Sequence, residues 1–311
     1  MKSAVVTGGA GFAGFSLTEY LLSRGYRVVC PMRPGSPHNS RLEELKKQNE
    51  IKGGQGELFL LSLDMQEILG LSEYLKLQDI DMSGSLFFHL SWRGERDNKE
   101  EQYGNIPAAL DAVKAASAIG ASKIILTGSQ AEYGAGAGGT INADGSFDPV
   151  TEDCLPKPVN SYGAAKAAAM ILTRDLARHL SIGWNWIRIF SLYGKYEHSH
   201  TLLSYLRESL KNKEIPSLSS CTQTWDYLEA EDAAAGITAV GERGKDGEIY
   251  NLANGAYRPL KEFVEIIRQE TDPGAEINFA PADPDHPALS LRPSVEKIKL
   301  HTGWKPLKDF S

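Results

Sequence analysis

The chain has 311 residues, 41% of them hydrophobic and 23% charged, with a formal net charge of -7 and a pI near 5.6. That is ordinary globular composition, long enough for one large core or two modest ones. The mildly acidic balance gives no long-range attraction for nucleic acid or an anionic membrane, so any phosphate must be gripped by local contacts.

In chain order, Ser3–Thr7 is a short apolar run that reads as a buried strand. A glycine-rich turn follows, then an amphipathic segment, Phe15–Ser23, stopped before Gly25. Arg27–Met32 is a second strand and Arg41–Gln48 a charged helix between Pro/Gly-rich edges. Leu58–Leu63, Ser85–Leu90 and Lys123–Thr127 repeat the apolar strand pattern, with helical stretches between. This alternation implies right-handed crossovers and a parallel sheet covered on both faces. Residues 134–160 are rich in Gly, Asp and Pro and read as a long, functional loop. An alanine-rich helix, Tyr162–Leu180, and a strand, Trp184–Phe190, come next. Beyond about residue 195, helices at 201–212, 229–241 and 259–271 are separated by short strands at Glu248–Leu252 and Glu276–Phe279, a smaller mixed lobe. Gly303–Pro306 reads as a turn feeding a final helix. The expected fold is α/β: a Rossmann-type doubly wound parallel sheet over residues 1–190, and a smaller mixed α/β lobe over 191–311.

Cys30, Cys154 and Cys221 are far apart, in neither a CxxC nor a Cys/His pattern, which argues against a disulfide framework or a zinc site. No charged-then-apolar leader opens the chain, and no apolar run nears the roughly 20 residues of a membrane span. A cytoplasmic protein with no membrane or nucleic-acid partner is expected.

Gly8, Gly11 and Gly14 lie between the first strand and the first helix. That placement meets a specific demand: one glycine for a tight turn, one for close approach of backbone N–H groups to a pyrophosphate, and one for helix–sheet packing. The helix N-terminus adds partial positive charge. A dinucleotide is therefore expected on Gly8, Gly11, Phe12, Ala13 and Gly14. An acidic residue at the end of the second strand would hold the ribose 2′-hydroxyl of NAD, whereas an arginine accommodates the 2′-phosphate of NADP. The stretch Cys30–Pro34 has no Asp or Glu and carries Arg33, so NADP is favoured, with NAD the alternative. Asp64 and Met65 after the third strand, and Leu90 after the fourth, complete the expected cofactor contacts.

Tyr162 and Lys166 stand four apart on a helix and share a face. An ammonium near a phenol favours the phenolate and lowers its pKa, making tyrosine a general acid or base for a hydroxyl/ketone pair. Ser129, at the end of the preceding core strand, is placed to hydrogen-bond the same oxygen. The expected catalytic set is Ser129, Tyr162 and Lys166.

These pieces together resemble an extended short-chain dehydrogenase/reductase of the NAD(P)-dependent sugar epimerase/dehydratase group. The resemblance runs through Thr7–Gly14, Phe88–Ser91, Asn105, Ser129–Gly134, Thr151-Glu152, Pro156–Pro158 and Ser161-Tyr162. It continues in Arg188–Gly194, Trp225–Asp232, Tyr250-Asn251 and Gly303–Pro306. It implies a Rossmann half, a C-terminal sugar-nucleotide lobe and a homodimer built on helices near 102–119 and 161–180. Two positions depart from the group's 4,6-dehydratases, whose Asp-Glu pair is replaced here by Gln130 and Ala131. Neither can transfer protons, and the segment Glu132-Tyr133-Gly134 looks more like the 4-ketosugar reductases.

The expected activity is NAD(P)H-dependent reduction of a nucleotide-diphospho-4-ketosugar. A 4-epimerase with tightly bound cofactor is the alternative, and a non-catalytic dinucleotide-binding protein the rival from another class. Ser91, Gln130, Ser191, Trp225, Arg258 and Arg292 are the expected substrate contacts, the two arginines as bidentate phosphate ligands. Trp225 reads equally as a stacking platform or a core aromatic. His89 is expected to support the cofactor floor. His198 and His200, two apart in a polar loop, fall on opposite sides if extended, so no metal site is expected.

Overall fold

The computed structural model describes residues 1–142, 147–282 and 288–310. Four residues of the expected 134–160 loop, 143–146, lie outside that set. Seven parallel strands form the central sheet: β1 (Ser3–Thr7), β2 (Arg27–Met32), β3 (Glu57–Ser62), β4 (Leu86–His89), β5 (Lys123–Ser129), β6 (Gly183–Ile189) and β7 (Ile249–Leu252). Their spatial order is β7-β6-β5-β4-β1-β2-β3, every pair parallel. The chain starts at β1, runs outward to β3, then returns across β1 to β4. The reversal opens a crevice at the carboxyl ends of β1 and β4, where α/β sheets of this kind bind ligands.

Helices α1 (Phe12–Ser23), α2 (Asn39–Ile51), α3 (Leu71–Leu77), α4 (Lys99–Ala118) and α5 (Ser161–His179) belong to the first half. Then come α6 (Leu202–Lys211), α7 (Ala230–Arg243), α8 (Leu260–Thr271) and α9 (Glu296–Thr302). One core layer packs α1 and α7 on the sheet through Phe15, Leu17, Leu21, Val28, Phe88, Ile237 and Val240. The other packs α3, α4 and α5 through Val5, Val29, Phe87, Val113, Met170 and Trp184. The strands are buried on both faces and so carry continuous apolar runs, which is why they were readable.

Two expectations need correction. The strand at 249–252 joins the central sheet beside β6 instead of serving the smaller lobe. Helix α7 likewise packs on α1. At the end of the chain the helix precedes the turn: α9 closes at Gly303, in the left-handed conformation (φ 70°) that suits glycine. Beyond it, residues 303–310 are non-helical, and Leu307 and Lys308 donate backbone N–H to Asp232. The remaining small lobe gathers α6, α8 and Phe310 around Leu203, Tyr227, Phe263 and Ile267.

Candidate active site

The glycine corner follows from sterics. Gly8 has φ +74°, and a Cβ there would stand 2.8 Å from the backbone N of Ser91. A Cβ on Gly14 would sit within 2.1 Å of the Gly8 carbonyl oxygen. Both positions admit only hydrogen, so backbone packs on backbone and leaves the N–H groups at the start of α1 facing the crevice. The helix start has no side-chain cap and no acidic residue in its first turn, so its positive end is free for an anion. A groove runs from this corner past Met32, Arg33, Ser36, His38, Asp64, Met65, Ser91, Trp92 and Arg93. Its residues fit a dinucleotide: a bare-backbone phosphate cradle, then cationic and polar groups at the outer end. Arg41 donates to the Ala10 carbonyl at 3.3 Å and lies under the Tyr196 ring, 4.2 Å from its centroid. Arg93 pairs with Asp64 at 3.4 Å.

Ser129 ends β5, and its hydroxyl accepts the Ala131 N–H. The four residues Ser129–Glu132 form a capping box, a pattern legible as Ser-x-x-Glu. Glu132 is fully buried. Its Oε1 accepts the Ser129 N–H and Trp186 Nε1, each at 2.9 Å, and its Oε2 accepts Arg188 Nε at 2.9 Å. Arg188 also donates to the Tyr133 hydroxyl (2.8 Å), which donates to Asn251 Oδ1 (2.7 Å). This network is the floor that fixes Ser129.

Tyr162 lies in the first turn of α5, which Asn160 caps through the Gly163 N–H. A Cβ on Gly163 would meet the Ala131 carbonyl oxygen at 2.3 Å, so α5 presses directly on the turn after Ser129. Burial raises the Tyr162 hydroxyl above the ordinary phenol value, while the Ser129 side chain and then the Arg96 guanidinium favour the phenolate. The guanidinium carbon of Arg96 is 5.3 Å from the Tyr162 ring centroid.

Lys166 differs from expectation. Its ammonium is 5.9 Å from the Tyr162 ring centroid but 3.7 Å from that of Trp92, and it donates to the Thr127 carbonyl at 2.7 Å. Desolvation pulls Lys166 down to about 7, against the field of Glu132. For the chain by itself, burial is the largest influence on the Tyr162 hydroxyl, and the cation whose field eases its proton off is Arg96. His89 shares a hydrogen bond with Thr7 Oγ1 at 2.9 Å. Burial and the nearby Lys166 pull it down to about 3, so it is neutral and ties β1 to β4.

Of the expected substrate contacts, Ser91 lines the same groove as the glycine corner. Gln130 follows Ser129 in the capping turn. Ser191 pairs with Tyr227 in a short parallel ladder. Trp225 stands opposite Arg258 in an antiparallel one and packs against two hydrophobic clusters. The arginines are engaged within the protein. Arg292 donates to the Gly138 carbonyl and the Thr224 hydroxyl, each at 3.0 Å, and its guanidinium carbon lies 3.7 Å from the Phe147 ring centroid. Arg258 lies over Phe263 at 4.9 Å. His198 and His200 stack at 5.3 Å, on one side rather than opposite sides, because the loop turns between them. Among the described residues no group of three His, Cys, Asp or Glu could hold a metal. Nor is any described helix long and apolar enough to cross a membrane.

Sequence reasoning missed Trp92 and Arg96, and for Glu132 it missed the burial and the ion pair. The first two follow β4 directly, and only the folded loop brings them to Tyr162 and Lys166. A larger cavity, about 640 Å³, is lined by Arg174, Arg178, Trp184 and Asp246. It adjoins the start of β6 and the far half of α5, some 18 Å along that helix from Tyr162 at about 1.5 Å per residue. It is therefore remote from the crevice.

Residues 4–253 match the model of the NAD dependent epimerase/dehydratase family. The chain belongs to that family. It is similar to the UDP-glucose 4-epimerase of Corynebacterium glutamicum, 25% identical over 97% of this chain and 90% of that protein. It is also similar to the human dTDP-D-glucose 4,6-dehydratase, 22% identical over 98% of this chain and 85% of that one. In fold it resembles the UDP-glucose 4-epimerase of Thermotoga maritima, solved with UDP-glucose: TM-score 0.79, 18% identity, covering 99% of this chain and 94% of that one. It equally resembles the Bacillus anthracis dTDP-glucose 4,6-dehydratase, solved with NAD, at TM-score 0.79 and 18% identity over 100% and 93% of the two chains. Members of this family are enzymes of oxidoreductase type.

Proposed function

We propose that the protein reduces a nucleotide-diphospho-4-ketosugar with NADPH. The observation that carries this reading is the meeting of Ser129 and Tyr162 beside the glycine groove, with Gln130 and Ala131 standing next to them. The first two residues serve a hydroxyl/ketone pair. The second two offer no acid and no base, so elimination of water at a neighbouring carbon has no proton donor there.

A reduced nicotinamide supplies hydride equivalents to a ketone carbon when bound. Gly8, Gly11, Phe12, Ala13 and Gly14 would hold its phosphates, with Asp64, Met65 and Leu90 along the groove. Lys166 and Tyr162 would hold the ribose next to the ring. Tyr162 gives its phenolic proton to the forming alkoxide, and its burial suits this because the hydroxyl stays protonated at neutral pH. Ser129 hydrogen-bonds the same oxygen. Arg33, beside the end of β2 with no carboxylate in Cys30–Pro34, supports NADP over NAD. Residues 1–190 would thus carry cofactor and chemistry, and 191–311 mainly the sugar nucleotide, with Ser91, Gln130, Ser191 and Trp225 as its contacts. Because Arg258 and Arg292 are engaged by Phe263, Gly138 and Thr224, they serve this lobe first by shaping it. A homodimer through α4 and α5 completes the reading.

A 4-epimerase uses the same three residues, and the 25% identity to a UDP-glucose 4-epimerase over nearly the whole chain favours it as strongly. One experiment separates them: purified protein, NADPH or NADH, and a panel of nucleotide 4-keto-6-deoxysugars, followed at 340 nm and by sugar analysis. Stoichiometric loss of NADPH absorbance supports the reductase; sugar interconversion without it supports the epimerase.

A further inference from the structure

Trp92 occupies the groove without a task in the proposed reaction. Its orientation is imposed. The indole Nε1 donates to Gln102 Oε1 at 2.7 Å. Gln102, fully buried, spends its own amide on the carbonyls of Glu95 (2.9 Å), Gly94 (3.2 Å) and Arg93 (3.4 Å). Asn105, about one turn further along α4, accepts the Arg93 N–H at 3.0 Å and donates to the Arg93 carbonyl at 2.9 Å. The loop after β4 is thereby bolted to α4, and the indole angle is fixed with it.

In that angle the ring face receives the Lys166 ammonium, 3.7 Å from the centroid, while the Thr127 carbonyl holds it from another side at 2.7 Å. The ring edge meets Tyr162 at 6.4 Å and 87°. Lys166 is 3% exposed. Among the described residues, the other charged or titratable groups acting around it are Glu132, His89, Tyr162 and Arg96. Glu132, whose field reaches it, is committed to Arg188 at 2.9 Å. His89 is buried and neutral, Tyr162 is a protonated phenol, and Arg96, 5.3 Å from that ring's centroid, is a like charge.

We propose that Trp92 is a positioning residue for Lys166: its indole face is an electrostatic partner for this buried ammonium beside the Thr127 carbonyl, and it sets where the ammonium points. An aromatic face attracts a cation most strongly when both are out of water. The use of Lys166 in the reaction is taken from the proposed function; the cation–indole contact is independent of it. Without the ring's negative face, desolvation of Lys166 goes unopposed from that side, and its proton is lost at lower pH.

The test uses the whole protein with 13C-labelled lysine, titrated by NMR, the Lys166 resonance identified by its loss in Lys166→Arg. In Trp92→Leu its midpoint should fall by about one pH unit, the equivalent of a desolvated cation–π contact. A midpoint equal to or above that of the unaltered protein overturns the proposal. Fluorinated tryptophans incorporated biosynthetically keep the ring's shape and drain its face, so they decide the matter even if the leucine variant does not fold. The midpoint should fall stepwise with fluorine number, and a constant midpoint overturns the assignment. NADPH binding measured between pH 6 and 9 provides the functional arm. In Trp92→Leu the loss of affinity should grow with pH, whereas a uniform loss would mean simple packing damage. If the unaltered protein binds no NADPH, the dinucleotide reading fails while the lysine titration still decides the role of Trp92.

Discussion

Tyr162 sits between opposing influences, burial holding its proton on and Ser129 and Arg96 easing it off. Replacing it with Phe removes the proton and leaves the ring that meets Trp92. Turnover of the keto sugar should fall at least about 100-fold, the usual range for loss of a general acid. NADPH affinity, read by fluorescence titration, should change little; retained turnover would remove Tyr162 from the mechanism. In the oxidative direction the phenolate is the active form, so the rate should climb with pH through the raised phenol value.

Lys166 makes a prediction about stability. Its folded value is about 7 against an ordinary 10.5. Between those limits the unfolded chain holds a proton that the folded chain has released, so stability rises with pH in that window. The unfavourable contribution is full below pH 7 and fades towards 10.5. Lys166→Met should therefore be more stable than the unaltered protein at pH 6, by a margin that narrows at pH 9, in urea melts at the two values. An equal margin at both would show that Lys166 titrates normally.

At the scale of elements, β5, the turn after it, β6 and β7 are tied by a buried network centred on one ion pair. Arg188 is 1% and Glu132 0% exposed at the side chain. Cutting one partner leaves an uncompensated buried charge, which costs about 3–5 kcal/mol. Arg188→Met should lose that much in urea unfolding, and adding Glu132→Gln should restore part of it. A loss below about 1 kcal/mol would mean that water or rearrangement reaches Glu132.

Elements also explain what could be read in advance. The strands were legible because sheets covered on both faces need unbroken apolar runs. The glycine corner and the placing of Tyr162 and Lys166 one turn apart on α5 were legible because both depend on local spacing. What Lys166 faces was not, because Trp92 arrives from a separate loop whose angle is set by Gln102 and Asn105. Arg258 and Arg292 looked like phosphate ligands for a similar reason: a guanidinium's partner is a tertiary fact, and Phe263, Gly138 and Thr224 are scattered through the chain. The end of the chain misled because the turn at Gly303 looks the same before a helix as after one, and here it is the left-handed stop of α9.

At the scale of the whole molecule, the glycine groove lies at the carboxyl ends of the central strands β1 and β4, while α4 and α5 cover one face of the sheet. Arg33 is an exposed cation lining the groove just past the end of β2. In Arg33→Ala the preference for NADPH over NADH should fall about tenfold, the equivalent of one lost exposed charge contact of about 1.4 kcal/mol. NADH affinity itself should hold, and an unchanged ratio would leave Arg33 as a solvated loop charge. The helical face raises the question of assembly. Helices α4 and α5 pack together, yet Tyr103, Ile171 and Leu172 remain 50%, 61% and 45% exposed. Three large apolar side chains on one helix pair, above a well-filled core, favour burial against a symmetry-related copy. Light scattering at micromolar concentration should then give twice the 34.0 kDa chain mass. Ile171→Glu, which places a charge in the middle of that face without touching the groove, should halve it while leaving NADPH affinity in place. A monomer before the substitution, or a dimer that survives it, would move the interface elsewhere or remove it.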